Sequence, residues 1–527
     1  MKKILIIIAA ALLVVGTACT KADFEDAYPD PSKISTTTVE KQYSGFLSSN
    51  REYVLPYYWN YFVVLRTTLT RYTQAVGWVN ASGQYVPGEA GIGAYWGTYY
   101  TLMAQYRELE KVYAATPADD QAAKRIYMLS ATIFLYDHTQ KLVDLHGDIP
   151  FSEAGMLSTN GGDYEASLPK YDKAEDVYSK MLDDLKAFAD ELNTITVQSA
   201  IQTGFKTQDF INGGDINKWK MYCNSLRLRM LTRVSGTSAF QSRATAEIAA
   251  ILANPSSYPV VADNADNIQI NVTNQNSPIN SQQFQSGLED WNGNLASKAM
   301  IDHMLANADP RLRAMYEPGA NAPGVYAGLD PLMLSNDQQT LVDAGTVTIY
   351  NRSTLSRNDY FPGMLINAAE VSFIKAEYYL NSGNDGAAKD AYNAGISQSV
   401  KNYYYFRTLS NDNVAGDLTP TDDAEIAAYT AMAQIDWDKA TSTAAKMTLI
   451  ANQKWIHYSV VQPYESWSEQ RRLNAPALTF QPDATNKQTL PPSRWIYTSN
   501  ESTYNTLNYD AVRANDNLTT KIFWDVN

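Results

Sequence analysis

Apolar residues along most of this chain recur at three- and four-residue steps, the spacing that places them on one face of an α-helix. From Ile126 the stripe runs through Leu129, Ile133, Tyr136 and Val143. Thr116, Pro117 and the acidic pair Asp119 and Asp120 stand before it as a helix start, since proline suits the first turn and acids favour the positive helix end. A second stripe passes through Trp219, Cys223, Leu226, Met230 and Val234, with Arg227, Arg229 and Arg233 lying mostly off it. That placement makes Cys223 a core thiol. The stretch 365–400 reads as helix, turn, helix, broken at Ser382–Gly386, where Gly383 can take the left-handed conformation and Asn384 or Asp385 can cap the next helix.

Ala376, Ala387, Ala388 and Ala391 are small enough for those two helices to approach closely, and the unit has the size and texture of a tetratricopeptide repeat. The segments 95–113 with 121–145, and 174–193 with 217–234, fit the same plan. One such pair cannot bury its apolar face alone, so several must stack. The expected fold is therefore mainly α, built on tetratricopeptide-like helix pairs with long irregular loops and a few short strands.

One apolar run departs from the helical pattern. Lys2 and Lys3 precede an unbroken stretch from Ile4 to Val15, followed by Gly16, Thr17, Ala18 and Cys19, the order of an export signal. It is shorter than the roughly 20 residues that a spanning helix needs. Cys19 after small residues resembles the lipobox of bacterial lipoproteins, although Gly16 stands where that motif usually has leucine. Residues 1–18 are thus expected to be a lipoprotein signal peptide, 19–40 a lipidated tether, and 41–527 a single domain. The acidic TKADFED after Cys19 resembles the tag that sends such proteins to the cell surface in Bacteroidota.

Charge and cysteine content narrow the function. Forty-two basic and fifty-six acidic residues among 527 give a net charge of −14, and loss of Lys2 and Lys3 takes the mature chain to −16. Such a surface repels phosphate backbones, which excludes nucleic acid as a natural partner. Cys19 and Cys223 are the only cysteines, so there is no disulfide framework. Four histidines, and the absence of HExxH, CxxC, GxSxG, P-loop and GxGxxG motifs, argue against a metal centre, a cofactor or a catalytic motif. A glycosidase, needing two placed carboxylates alone, stays open.

Two clusters invite a chemical reading. LVDLHGDIPFSEA, residues 142–154, gathers His146 with Asp144, Asp148 and Glu153. Gly147 and Pro150 are helix breakers, and Asp148 lies where a side chain can bond freed backbone amides, so the segment reads as a structural turn. Arg471 and Arg472 beside Glu465 and Glu469 read likewise as a structural ion-pair cluster. Asn264, Asp266 and Asn267 offer oxygen ligands for calcium, but loops of this kind usually only turn the chain.

Five stretches carry a family resemblance: 142–154, PKYDKAEDVYSKMLDDL at 169–185, GDINKWKMYCNSLRLRMLTRVS at 214–235, the helix pair at 365–400, and QKWIHYSVVQPYESWSEQRRLNAPAL at 453–478 followed by PPSRWIY at 491–497. In this order, with the lipobox, the chain resembles the SusD/RagB group of nutrient-binding outer-membrane lipoproteins. The resemblance implies a surface-exposed, lipid-anchored binding protein without catalysis. It also implies a SusC-like TonB-dependent transporter as partner and a glycan or peptide as ligand. It assigns no ligand residues, because these sit on loops that diverge within the family. Capture of a glycan is the expected function, favoured by the family's habits and the tyrosine load; a surface-anchored glycoside hydrolase and a peptide-binding lipoprotein of the same family are the alternatives.

Ligand candidates come from ring chemistry. There are 61 aromatic residues, 36 of them tyrosine, and a flat ring stacks on a sugar face while a phenol still hydrogen-bonds. Trp59, Trp96, Trp219, Trp455 and Trp467 fall in helical or family-motif segments and are assigned to the core. Trp78 and Tyr85 in AVGWVNASGQYVPGEAGIG, Trp291 in LEDWNGN, and Tyr326 and Tyr360 in polar loops are expected to be exposed and to clamp sugar. Arg71 and Gln74 are placed to donate hydrogen bonds to the same ligand.

Overall fold

A computed structural model describes residues 37–527 of the chain. The expected signal peptide, Cys19 and the greater part of the expected tether lie outside the described residues. Among the described residues the architecture rests on helices that include α1 (Val39–Ser49), α2 (Glu89–Ala114), α3 (Arg125–His146), α4 (Ala174–Thr194), α5 (Ile216–Val234), α6 (Ala368–Asn381), α7 (Asp385–Leu409), α8 (Thr443–Tyr458) and α9 (Pro463–Leu473). Strands among the described residues form short antiparallel pairs, including Ile268–Ile270 on Gly363–Ile366. No helix among them is long and apolar enough to cross a membrane.

The helix pairs expected from periodicity are present: α2 packs on α3, α4 on α5, and α6 on α7. Between α6 and α7, Gly383 takes φ 77° and the Asn384 side chain accepts the Ala387 amide, which starts α7. Gly395 of α7 lies flat on Phe373 of α6, where an added Cβ would sit 2.5 Å from the ring. One start is displaced. Pro117 begins a separate short helix, Ala118–Ala123, which breaks at Lys124 before α3 opens.

Helices α3 and α5 are buried almost all round, so the apolar stripe describes only one of their buried faces. The arginines off the α5 stripe point inward, into charge. Arg229 reaches Asp137 of α3 at 2.9 Å and Glu370 of α6 at 2.5 Å, while Arg233 reaches Glu465 of α9 at 2.5 Å. Lys454 of α8 lies 2.6 Å from Glu469, and Arg472 bridges Glu377 and Glu469 at 2.6 and 2.7 Å. The conspicuous motifs of the sequence thus meet in one buried ionic core that ties five helices together.

Electrostatics divide the carboxyls of that core. Burial raises the proton affinity of Asp137 and Glu469. Lys141 and Arg229 outweigh it at the first, Arg472 and Lys454 at the second, and both stay well below the usual carboxylate range. At Glu370 burial outweighs the Arg229 charge and the carboxyl moves up. Arg471, expected within the ion-pair cluster, stands outside it. Its guanidinium lies 3.7 Å over the Trp467 ring and bonds the carbonyls of Ser493 and Asp144, because Arg472 alone faces the carboxylates.

Candidate functional site

The histidine-acid cluster resolves into packing. α3 ends at Gly147 with φ 81°, and Ile149–Pro150 then pairs with Tyr171–Asp172. His146 is enclosed by the rings of Trp96, Trp495 and Tyr497, and burial, followed by the Arg494 charge, drives its proton affinity well below normal. Asp144 accepts from Tyr178 and Trp524, and Asp148 accepts the amide that opens α4. Among the described residues no group of three or more His, Cys, Asp or Glu side chains converges as a metal site would. Asn264 and Asn267 are engaged with Gln398 and with the amide that opens α6.

The aromatic candidates divide into two groups. Trp291 projects into solvent, 80% exposed, from a turn in which both it and Asn292 take left-handed backbone, at φ 55° and 56°. Non-glycine residues adopt that conformation at a cost, and such strain gathers where a side chain must be presented. Trp78 is only 7% exposed, its indole N–H donating to Gln84 Oε1 at 2.9 Å, yet one edge opens on the same cavity as Trp291. The cavity holds about 180 Å³ and also meets Arg66, Arg71 and Gln339.

Glycines set its walls. Gly77 donates to Leu295 O at 2.8 Å, and a Cβ there would sit 2.6 Å from Ala296 O, so the Trp78 loop can lie flush on 295–296. At Gly293 a Cβ would fall 2.9 Å from the Arg66 side chain. Arg66 therefore lies flat, its guanidinium 4.2 Å from the Phe62 ring centre and 5.5 Å from that of Trp291. Arg71 stands 5.3 Å from the Trp78 ring centre and makes one hydrogen bond, from Nη1 to Gln84 O at 2.9 Å.

The remaining candidates are not on this cavity. Tyr85 is fully buried, its hydroxyl donating to Gln481 O and its ring held edge-on by Phe480, the ring that also stacks under Trp78. Gln74 is buried and donates to Thr479 O. The polar 74–88 loop folds back on the 479–483 segment, which covers both side chains. Tyr326 and Tyr360 are half-buried against the core. Among the tryptophans assigned to the core, Trp96, Trp219, Trp455 and Trp467 are buried, but Trp59 is 46% exposed. It opens a π-helical turn, Trp59–Leu65, closed by an Arg66 N–H bond to Tyr61 O. The wider turn directs Asn60, Tyr61, Val64 and Leu65 inward and leaves Trp59 outside.

Sequence reasoning overlooked Arg66, though a signal was present. In a chain of net charge −14, residues 53–88 hold Arg66 and Arg71 and no acidic residue at all. Larger clefts, of about 510, 460 and 360 Å³, lie elsewhere, and in the last of them Asp209 accepts from the Trp219 indole while Lys218 donates to Ala265 O. The charged side chains of the other two are also engaged: Glu377 and Arg472 with the ionic core in the first, Arg107, Arg125 and Lys180 with Glu110, Glu191 and Asp184 in the second. The small ring-lined cavity is the stronger ligand candidate.

Comparison with known proteins places the fold. The SusD-like family model described as starch-binding and associating with the outer membrane matches residues 47–498. A chitin-binding SusD homologue from Flavobacterium johnsoniae is similar at 21% identity and TM-score 0.70, covering 92% of this chain and 99% of its own. A SusD homologue from Bacteroides thetaiotaomicron is similar at 20% identity and TM-score 0.67, over 93% and 100%. A SusD-like protein of the Bacteroidetes reaches TM-score 0.74 at 21% identity, again over 93% and 100%. No curated protein matches.

Proposed function

The chain belongs to the SusD-like family, and from that premise we propose that it is a cell-surface lipoprotein that captures a glycan at the Trp78–Trp291 cavity. The captured glycan is then passed to a SusC-like TonB-dependent transporter, with Cys19 as the lipid attachment point. The observation that carries this reading is Trp291. A large indole 80% exposed on strained backbone, beside a cavity edged by a second indole, is arranged as a stacking platform for sugar rings.

Size supports the same reading. Sites that enclose a whole small molecule run to roughly 300–1,000 Å³, whereas this one holds about 180 Å³. It suits one unit of a polymer, the rest of the chain running over the exposed surface. Hydrolysis of a glycosidic bond calls on a carboxylate pair, and the residues lining the cavity include no carboxylate. That supports capture rather than cleavage. Affinity electrophoresis of the mature protein in gels containing a panel of polysaccharides tests the reading. Retardation by at least one glycan, lost in Trp291→Ala without release of new reducing ends, is expected; retardation unchanged in Trp291→Ala would contradict it.

A further inference from the structure

The cavity carries a charge that the rest of the molecule does not answer. Among the described residues, neither Arg66 nor Arg71 has a carboxylate oxygen within the 4.0 Å of an ion pair. The carboxylate acting on Arg66 is the exposed Asp290, beyond that distance. The Arg66 side chain makes a single hydrogen bond, a long one from Nε to Phe62 O at 3.4 Å. Arg71 Nε is sealed from solvent with no acceptor, and Nη2 makes no bond within the protein. The two guanidinium groups also act on each other. Burial, and after it the Arg66 charge acting against the Tyr72 contribution, push Arg71 down to about 10. Leaving like charges half-buried without a counter-ion is unfavourable, and an anion entering the cavity they both line would gain charge-assisted hydrogen bonds.

Building on the glycan reading, we propose that the sugar unit held in this cavity is anionic, with Arg66 and Arg71 binding its acidic group while Trp78 and Trp291 meet its ring. A uronate carboxylate and a sulfate ester share the required chemistry: a compact anion with oxygens that match the guanidinium fork. Gln339, at the same wall, supplies a neutral side-chain amide for a neighbouring hydroxyl.

The mature full-length protein is titrated with polygalacturonate and alginate oligosaccharides (carboxylate), carrageenan oligosaccharides (sulfate), and starch and chitin oligosaccharides (neutral), at low and at high salt. The expected result is that one acidic class binds at least tenfold tighter than every neutral one. That advantage shrinks as salt screens the charges, and it disappears in Arg66→Gln and Arg71→Gln with partial recovery in Arg71→Lys. Which acidic class binds distinguishes carboxylate from sulfate. Near-ultraviolet circular dichroism of each variant confirms that it is folded, and Arg66→Gln, at the more open position, serves if Arg71→Gln is not. A neutral oligosaccharide bound as tightly as any acidic one, losing affinity in Trp291→Ala but not in the arginine variants, overturns this inference and leaves the glycan reading standing. Failure of every oligosaccharide to bind overturns both.

Discussion

The ionic core and the ring-lined cavity both bury arginine, and they treat it in opposite ways. In the core Arg229 and Arg233 meet carboxylates supplied by three other helices, and Arg472 meets two more. In the cavity Arg66 and Arg71 lie over aromatic faces with no carboxylate in reach. A charge satisfied from within holds elements together. A charge left open is available to something from outside. On the proposed reading the contrast makes stability and binding separable properties of this protein, each assigned to its own arginines.

The ionic core should respond most strongly to substitution. Arg229→Met leaves Asp137 and Glu370 buried without their shared cation and should cost about 3–5 kcal/mol of unfolding free energy. Urea titration followed by tryptophan fluorescence measures it. A loss below about 1 kcal/mol would mean the core is wetter than its burial indicates. Packing without charge should cost less. Gly395→Ala pushes a methyl into Phe373 and is expected to lower stability by about 1–3 kcal/mol at any salt concentration, whereas the ionic core should respond to salt in the disrupted variants.

A third test concerns pH. Below about 6.5 an unfolded histidine takes up a proton, while buried His146 stays neutral, so the unfolded state binds the extra proton and stability falls as the solution is acidified. His146→Phe, which keeps the ring within its aromatic cage, should reduce that slope by up to about 1.4 kcal/mol per pH unit just below the ordinary histidine range. An unchanged slope would place His146 in contact with water. The smallest stability effect belongs to the cavity. Trp291→Ala should stay within about 0.5 kcal/mol of the parent protein, since the ring is exposed, while weakening glycan binding by at least tenfold.

How far each region could be read from sequence follows from the same contrast. Helix pairing was legible because apolar periodicity is local, and the Gly383–Asn384 turn has chemistry that its neighbours dictate. The ionic core was half legible: the motifs stood out, but the α5 arginines looked peripheral to a single stripe, since nothing local reveals that a helix is enclosed on all sides. The cavity was the least legible. Whether Tyr85 or Trp291 faces water depends on the 479–483 segment, some 400 and 190 positions away along the chain, which covers the first and not the second. Trp59 was misplaced because a π-helical turn shifts the inward face by a residue that α-helical spacing does not anticipate. The acid-free stretch around Arg66 and Arg71 was visible, and its meaning appears only once no distant carboxylate folds against it.

Whether the cavity arginines serve a ligand and not the fold is decided by one paired measurement: unfolding free energy and glycan affinity of Arg71→Gln beside those of Arg229→Met. Stability within about 1 kcal/mol of the parent protein together with at least tenfold weaker binding of the preferred oligosaccharide is the predicted outcome for Arg71→Gln. A loss of several kcal/mol, matching that of Arg229→Met, with affinity retained in the molecules that remain folded, would contradict it.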